Sequence, residues 1–339
     1  VTLVMAADVR NEPFPVPPCQ QMGHDDGHGR NADSPSEIPV RGLRDVLWRV
    51  YDAILTNRVT LIAAGATFHI VLAIFPGMGV LVSVYGLLTD PSDLARQMVF
   101  FGDVLPPGAF DLLLPQLDAL AHKGRSELSM AFVLSLLIAF WSATSGVKAL
   151  FDAMNVAYGE VEKRSFIRVT LLAFGFTLAA VGTLVVLIAL VGIVPAVLKA
   201  FYLDQWTEIL ARIARWPVIL LITGIATVLI YRYGPSREKA KFRWLTWGAV
   251  LSTVTWAITT AGFSIYLLNF ANYNATYGTL GALVGFMIWV WLSIVILIVG
   301  AELNAELEHQ TQRDSTTGPP LPMGERGAEM ADTLGREAD

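Results

Sequence analysis

Residues 279–300 read TLGALVGFMIWVWLSIVILIVG, and the run contains no Asp, Glu, Lys or Arg. A helix rising about 1.5 Å per residue needs about 20 such residues to cross a hydrocarbon core of about 30 Å. A soluble helix of that length would keep a polar face at helical period, and this run has none. Five more segments read the same way: Val59–Leu88, Leu128–Gly146, Val169–Val197, Pro217–Tyr233 and Leu245–Phe270. The sequence therefore specifies an all-α, polytopic integral membrane protein with six transmembrane helices. The first run is too long for one straight crossing and holds Pro76 before Gly77 and Gly79, which predicts a kink or unwound turn there.

Composition agrees. Of 339 residues, 54% are hydrophobic and 16% charged, against about 25% charged in soluble domains. Mean hydropathy is +0.53. A net charge of -5 gives no footprint for nucleic acid as a partner. Cys19 is the single cysteine, so neither an intrachain disulfide nor a thiolate metal site can form.

Outside the spans, residues 1–40 carry Pro13, Pro15, Pro17 and Pro18 and then a polar stretch, and read as a disordered N-terminal arm. They lack the pattern of a signal peptide, so the first span is expected to direct insertion. Residues 41–58 intersperse Arg41, Arg44, Arg49 and Arg58 with Leu47, Trp48, Tyr51 and Leu55, the pattern of an amphipathic juxtamembrane helix. The six spans fall within residues 59–309, and residues 310–339 read by composition as a disordered tail. With the N-terminus in the cytoplasm, the inside segments carry thirteen Lys and Arg against six outside, tails excluded. The positive-inside rule then places both termini in the cytoplasm.

Ionisable and polar groups in lipid are costly, so they mark a cavity, a partner or an interface. His69 lies in the first span near Pro76, where freed carbonyls and an imidazole can meet; a histidine bonded to a neighbouring helix reads the same. Ser142 and Ser145 precede Lys148, Asp152 and Asn155 on the second span, with Lys148 and Asp152 four apart and able to pair. That stripe suits either the wall of a polar cavity or a structural ion-pair network. The sixth span ends in Glu302 and Glu306 on one face, and Glu302 is the acid expected to be buried. Gly281 and Gly285 form a small-xxx-small helix-packing face, which suits intramolecular packing better than a homo-oligomer contact.

Enzymatic chemistry finds no foothold. The histidines are His24, His28, His69, His122 and His309, and only the first two lie close together, beside Asp25 and Asp26 in the arm. There is no HExxH cluster, P-loop or recognisable triad, and no catalytic, metal or cofactor-binding residues are assigned. Membrane lipids are the one partner the composition implies.

Several stretches together resemble the YihY/virulence factor BrkB family of bacterial inner-membrane proteins, historically mislabelled ribonuclease BN. They are Phe68-His69 with Ala73-Ile74-Phe75-Pro76, Ser142-Ala143-Thr144-Ser145-Gly146-Val147-Lys148-Ala149-Leu150 leading to Asn155 and Tyr158, and Trp247-Gly248. Phe263-Ser264-Ile265-Tyr266, Tyr273, Tyr277-Gly278-Thr279-Leu280-Gly281 and Gly300-Ala301-Glu302-Leu303-Asn304 complete the set, which covers about residues 42–309. The resemblance implies six spans and a multi-pass place in the cell inner membrane. It implies no secure activity: members are described as transporters or as virulence-associated proteins, and the ribonuclease label is regarded as an error. The expectation is an inner-membrane transporter or channel-like protein of unknown substrate, the alternative a non-transporting membrane scaffold or envelope-maintenance protein.

Overall fold

The structure, a computed structural model, describes residues 27–88, 125–188, 205–269 and 279–338. A 3-10 turn at Pro35–Glu37 leads into α1 (Val40–Thr56) and α2 (Val59–Leu88). Then follow α3 (Arg125–Ala157), α4 (Phe166–Ile188), α5 (Gln205–Tyr233), α6 (Phe242–Asn269), α7 (Thr279–Glu308) and the short α8 (Glu329–Asp332). Among the described residues the only strand-like pairing is one isolated bridge, Ala240 to Thr316.

Five helices, α3 to α7, are long and apolar enough to cross a membrane, and six spans are reached when the bent pair α1–α2 is counted as one. The order of packing follows from contact between neighbours: α4 lies against α3, α3 against α2, α2 against α7, α7 against α6, and α6 against α5. α7 is thus the central helix and also receives α1. Small residues let these helices close: Ala63, Ala66, Ala153, Ala157, Ala249, Ala301 and Ala305 are all buried. Gly248 of α6 faces Gly300 of α7 so closely that a Cβ on either would strike the other helix. On the outside, large apolar side chains such as Leu137, Trp141, Leu171 and Ile258 are exposed, as bilayer-facing surfaces require.

The bend in the first helical pair lies at Asn57–Arg58, where α1 meets α2 at 59°. Arg58 has φ 50°, the left-handed conformation usually left to glycine, and it ends α1 the way a glycine C′ residue would. The expected unwound turn at Pro76 is not found: helical backbone runs through it to Leu88. A proline in a spanning helix is tolerated where the freed carbonyl is met locally. Side chains from Ile74 to Leu88, Pro76 included, lie outside the described residues, as do residues 1–26 with Cys19 and His24.

α3 and α7, at 33 and 30 residues, are about 50 Å and 45 Å long and outrun a core of about 30 Å. Their polar ends therefore stand clear of the apolar zone on one side, where a second structure forms. Residues 310–338 do not behave as the disordered tail their composition predicts. Gln310, Thr311, Ser315, Thr316 and Arg326 are buried. The segment folds over the ends of α1, α3, α5, α6 and α7, held by Lys241 N to Ser315 O (2.8 Å), Thr317 N to Lys239 O (2.8 Å) and Gln312 N to Arg30 O (2.7 Å). Residues 27–39 of the presumed arm join the same cap, with Ala32 and Ile38 buried beside Val46, Trp244 and Leu307.

Candidate functional site

The polar end of α7 is where buried charge collects. After the apolar run come Glu302, Asn304, Glu306 and Glu308, all buried within two turns. At about 100° per residue Glu302 and Glu306 share one face and Asn304 and Glu308 the opposite one, and one turn of rise within each pair gives each residue its own neighbour. Glu302 (1% exposed) accepts a hydrogen bond from Asn57 Nδ2 at 2.8 Å, at the α1–α2 bend. Glu306 accepts from Arg49 Nε of α1 at 2.5 Å, and His309 Nδ1 stands 3.4 Å from the same oxygen. Glu308 meets Arg237 Nη2 at 2.6 Å and Ser315 Oγ at 2.8 Å. Asn304 turns to α6 instead: its Oδ1 accepts from Gly248 N (2.7 Å) and its Nδ2 donates to Leu245 O (3.1 Å).

Arg49 shows how closed this end is. Besides Glu306 it donates to Glu306 O (3.1 Å), Gln310 Oε1 (2.8 Å) and Arg336 O (2.7 Å). One guanidinium so joins α1, α7 and the C-terminal segment, the forked geometry in which arginine outperforms lysine. Asp45, four residues earlier on the same face of α1, is bonded by His28 Nδ1 (2.6 Å) and by Ala338 N (3.0 Å).

A second cluster sits at the end of α3. Gly159, with φ 65°, terminates the helix, and Glu160 N bonds back to Asn155 O. Asn155 accepts from Ser236 N (2.7 Å) and donates to Glu162 (3.1 Å). Arg164 grips Glu162 with Nε and Nη2 at 2.7 and 2.6 Å and bonds the carbonyls of Tyr233 and Gly234. The Arg164 guanidinium holds the Glu162 carboxyl down at about 2. Burial pushes the neighbouring Tyr158 phenol well above its ordinary range.

The residues singled out in sequence fall into two groups. Glu302, Glu306 and Asn155 belong to these polar clusters. His69, Ser142, Ser145, Lys148 and Asp152 lie elsewhere. His69 meets the edge of Phe68, at 5.5 Å between centroids, beside the α2–α3 contact. Ser145 Oγ bonds its own helix at Trp141 O (2.9 Å), and Ser142 is buried, while Thr144 and Thr177 bring their hydroxyls to 3.5 Å. The expected Lys148–Asp152 pair is absent among the described residues: Lys148 Nζ sits over the Phe166 ring at 5.1 Å, and Asp152 is exposed. A lysine stem lies well on an aromatic face at a membrane boundary. Gly285 is buried, and the surroundings of Gly281 lie outside the described residues. Sequence reasoning did not give Asn57, Arg49, Arg164 or Arg237 a buried role; Arg49 read as part of an amphipathic helix, and Arg164 and Arg237 as inside-positive charge. The usable signal for Arg49 was its place on one stripe of α1 with Gly42, Asp45, Val46 and Val50. Among the described residues no group of three or more His, Cys, Asp or Glu side chains is arranged to hold a metal ion.

Long apolar helices around a central span, closed at one end by a polar cap, define a polytopic helical membrane protein. The chain belongs to the virulence factor BrkB family, whose sequence model matches residues 50–322. Among its relatives is YfkH of Bacillus subtilis, whose name calls it ribonuclease-like, 35% identical over 181 residues that cover 51% of this chain and 64% of that one. A UPF0761 membrane protein of Xanthomonas oryzae pv. oryzae is 29% identical over 270 residues, 77% of this chain and 59% of the relative. Another, NTHI0384 of Haemophilus influenzae, is 20% identical over 255 residues, 74% and 91% of the two chains. The match thus spans less than two thirds of the length of the first two relatives. No solved structure matches the chain. Membership and the run of spanning helices make it a multi-pass protein of the bacterial inner membrane.

Proposed function

We propose that the chain is an inner-membrane transporter or channel-like protein, with both termini in the cytoplasm and the cap closing its cytoplasmic end. The observation that supports this reading is Glu302. It is buried to 1% exposure at the end of the central helix, and its hydrogen-bond partner among the described residues is the neutral Asn57. A carboxylate without a cation partner is expensive to keep at the edge of a bilayer, and such groups commonly serve an ion, proton or substrate. Asn57 lies at the 59° bend between α1 and α2, so the group that holds Glu302 is also the joint about which the first helical pair can move. The cytoplasmic placement of the cap rests on the thirteen-to-six bias in basic residues.

A second reading, a non-transporting scaffold, is favoured by the closed pairing of Arg49 with Glu306 and Arg164 with Glu162. The two part company in reconstituted vesicles. Protein in liposomes is screened for flux of protons, small cations, small anions and labelled lipid, beside Glu302→Gln and Glu302→Ala. Transport requires flux above empty vesicles for at least one probe and a clear fall in Glu302→Gln, as expected where an intramembrane carboxylate serves the transported ion or substrate. Background flux in every sample excludes transport of those probes and leaves the scaffold.

A further inference from the structure

Between α5 and α6 runs a cavity of about 510 Å³, walled by Leu221, Ile225 and Leu229 on one side and Ala249, Val250 and Val254 on the other. It touches none of the polar clusters described above. It opens sideways: Leu221 (64%), Ile225 (52%) and Val250 (56%) are among the exposed large apolar residues. Both walls belong to spanning segments, Trp216–Tyr233 and Phe242–Tyr266, so the opening faces the bilayer and its occupant comes from the membrane. From Phe242 to Val254 the groove follows α6 for about 18 Å, little more than half of a core of about 30 Å. That is the depth of one leaflet.

One end of the groove is charged. Phe242 lines it, and the Arg232 guanidinium stacks on the Phe242 ring at 4.0 Å. Arg232 spends Nη1 on Ala240 O at 2.9 Å, while its buried Nε has no partner among the described residues. Lys239 is exposed and shares the Tyr233 ring with Arg232, and Arg243, beside Phe242 in the chain, is exposed too. The facing acids are Glu238, exposed, and Asp33, which lies 3.9 Å from Arg243 and is already bonded to Arg313 at 2.6 Å. Cations so exceed anions at the mouth, and the guanidinium fork of the half-buried Arg232 matches a phosphate.

We propose that this groove binds one anionic phospholipid, an acyl chain lying between α5 and α6 and the headgroup phosphate resting at Arg232 with Lys239 and Arg243. The charge at the mouth selects a lipid of net negative charge over a zwitterionic one of the same chain length. The site does not depend on whether the chain transports anything.

The test uses the full chain in phosphatidylcholine vesicles carrying a trace of spin-labelled phosphatidylglycerol or spin-labelled phosphatidylcholine, with the immobilised fraction read by electron paramagnetic resonance. The wild type is expected to hold phosphatidylglycerol about fivefold more strongly, the scale of one basic residue at an anionic surface. Arg232→Gln should bring the two lipids level. Gly224→Leu, whose first carbon would meet Thr253 Oγ1 at an ordinary 3.5 Å, extends into the groove and should reduce immobilisation of both. Equal immobilisation of the two lipids by the wild type, or a preference that survives Arg232→Gln, overturns the proposal. Should Arg232→Gln fail to fold, Gly224→Leu decides alone: immobilisation unchanged from wild type shows that no lipid uses the groove.

Discussion

The apolar half of the molecule and the cap at its end are built by opposite rules. In the spans, most side-chain hydroxyls return to their own helix, as Thr67 does to Ala63 O (2.7 Å) and Thr223 to Ile219 O (2.9 Å), a few cross, as Ser252 Oγ does to Ile296 O (3.0 Å), and helices meet through alanine and glycine. In the cap, local bonds such as Thr316 N to Asp314 Oδ1 (2.8 Å) are joined by bonds between the two ends of the chain. Thr311 Oγ1 reaches Ala32 O, 279 residues away, and Arg30 reaches Gly335 O, 305 residues away. Lipid supplies no hydrogen bonds, so a span must satisfy its backbone within itself. Water competes for every bond in the cap, so the cap holds together through buried, multiply bonded side chains.

The largest break in that contrast comes from Arg49→Ala. It strands Glu306 in a buried site and leaves the Gln310 and Arg336 acceptors unmet, at a cost of about 3–5 kcal/mol. Thermal unfolding of the purified protein in detergent should show the loss, and an unchanged midpoint would mean that the cap is not anchored through α1. A smaller effect is expected in the spans from Gly248→Ala. The new Cβ falls against the Gly300 carbonyl oxygen and 2.6 Å from the Asn304 amide, so α6 and α7 must part. Overpacking of this kind costs about 1–3 kcal/mol, read in the same melt. Substitution without loss would show that the two helices are not in close contact there.

How much of this was legible in the sequence follows the same division. The spans were readable because a bilayer of fixed thickness imposes a length and a composition on each run; residues 59–88 and 279–300 needed no tertiary information. Glu302 was readable as an acid at the edge of an apolar run. The α1–α2 bend was not legible, because Arg58 adopts a glycine-like conformation with nothing in its chemistry to announce it, while the helix runs without an unwound turn through Pro76. The tail was misread as disorder because its Gly, Pro and Glu content describes its own weak local preferences, and the partners that order it lie at the other end of the chain. Arg49 was read as part of an amphipathic juxtamembrane helix, not as a buried partner, for the same reason: Glu306 is 257 residues away.

The smallest expected effect is in pH. Glu162 titrates near 2 in the folded chain against an ordinary 4.5, so its pairing with Arg164 and Asn155 stabilises the fold above pH 4.5 and is lost as pH falls toward 2. The unfolding midpoint of the wild type should drop through that window more steeply than that of Glu162→Gln. Superimposable profiles would remove Glu162 from the cap's stability.

The central claim is that residues 310–338 form a folded lid on the helix ends and not a solvated tail, and hydrogen exchange measures this directly. Amides of Gln312, Thr316, Thr317, Ala328 and Ala331, each bonded in the structure, should exchange slowly in the wild type. Arg326→Ala removes the bonds to Leu321, Ala331 and Gln312 and should speed that exchange while the spans stay protected. Exchange of the whole segment at the rate of an unstructured peptide in the wild type would contradict the account.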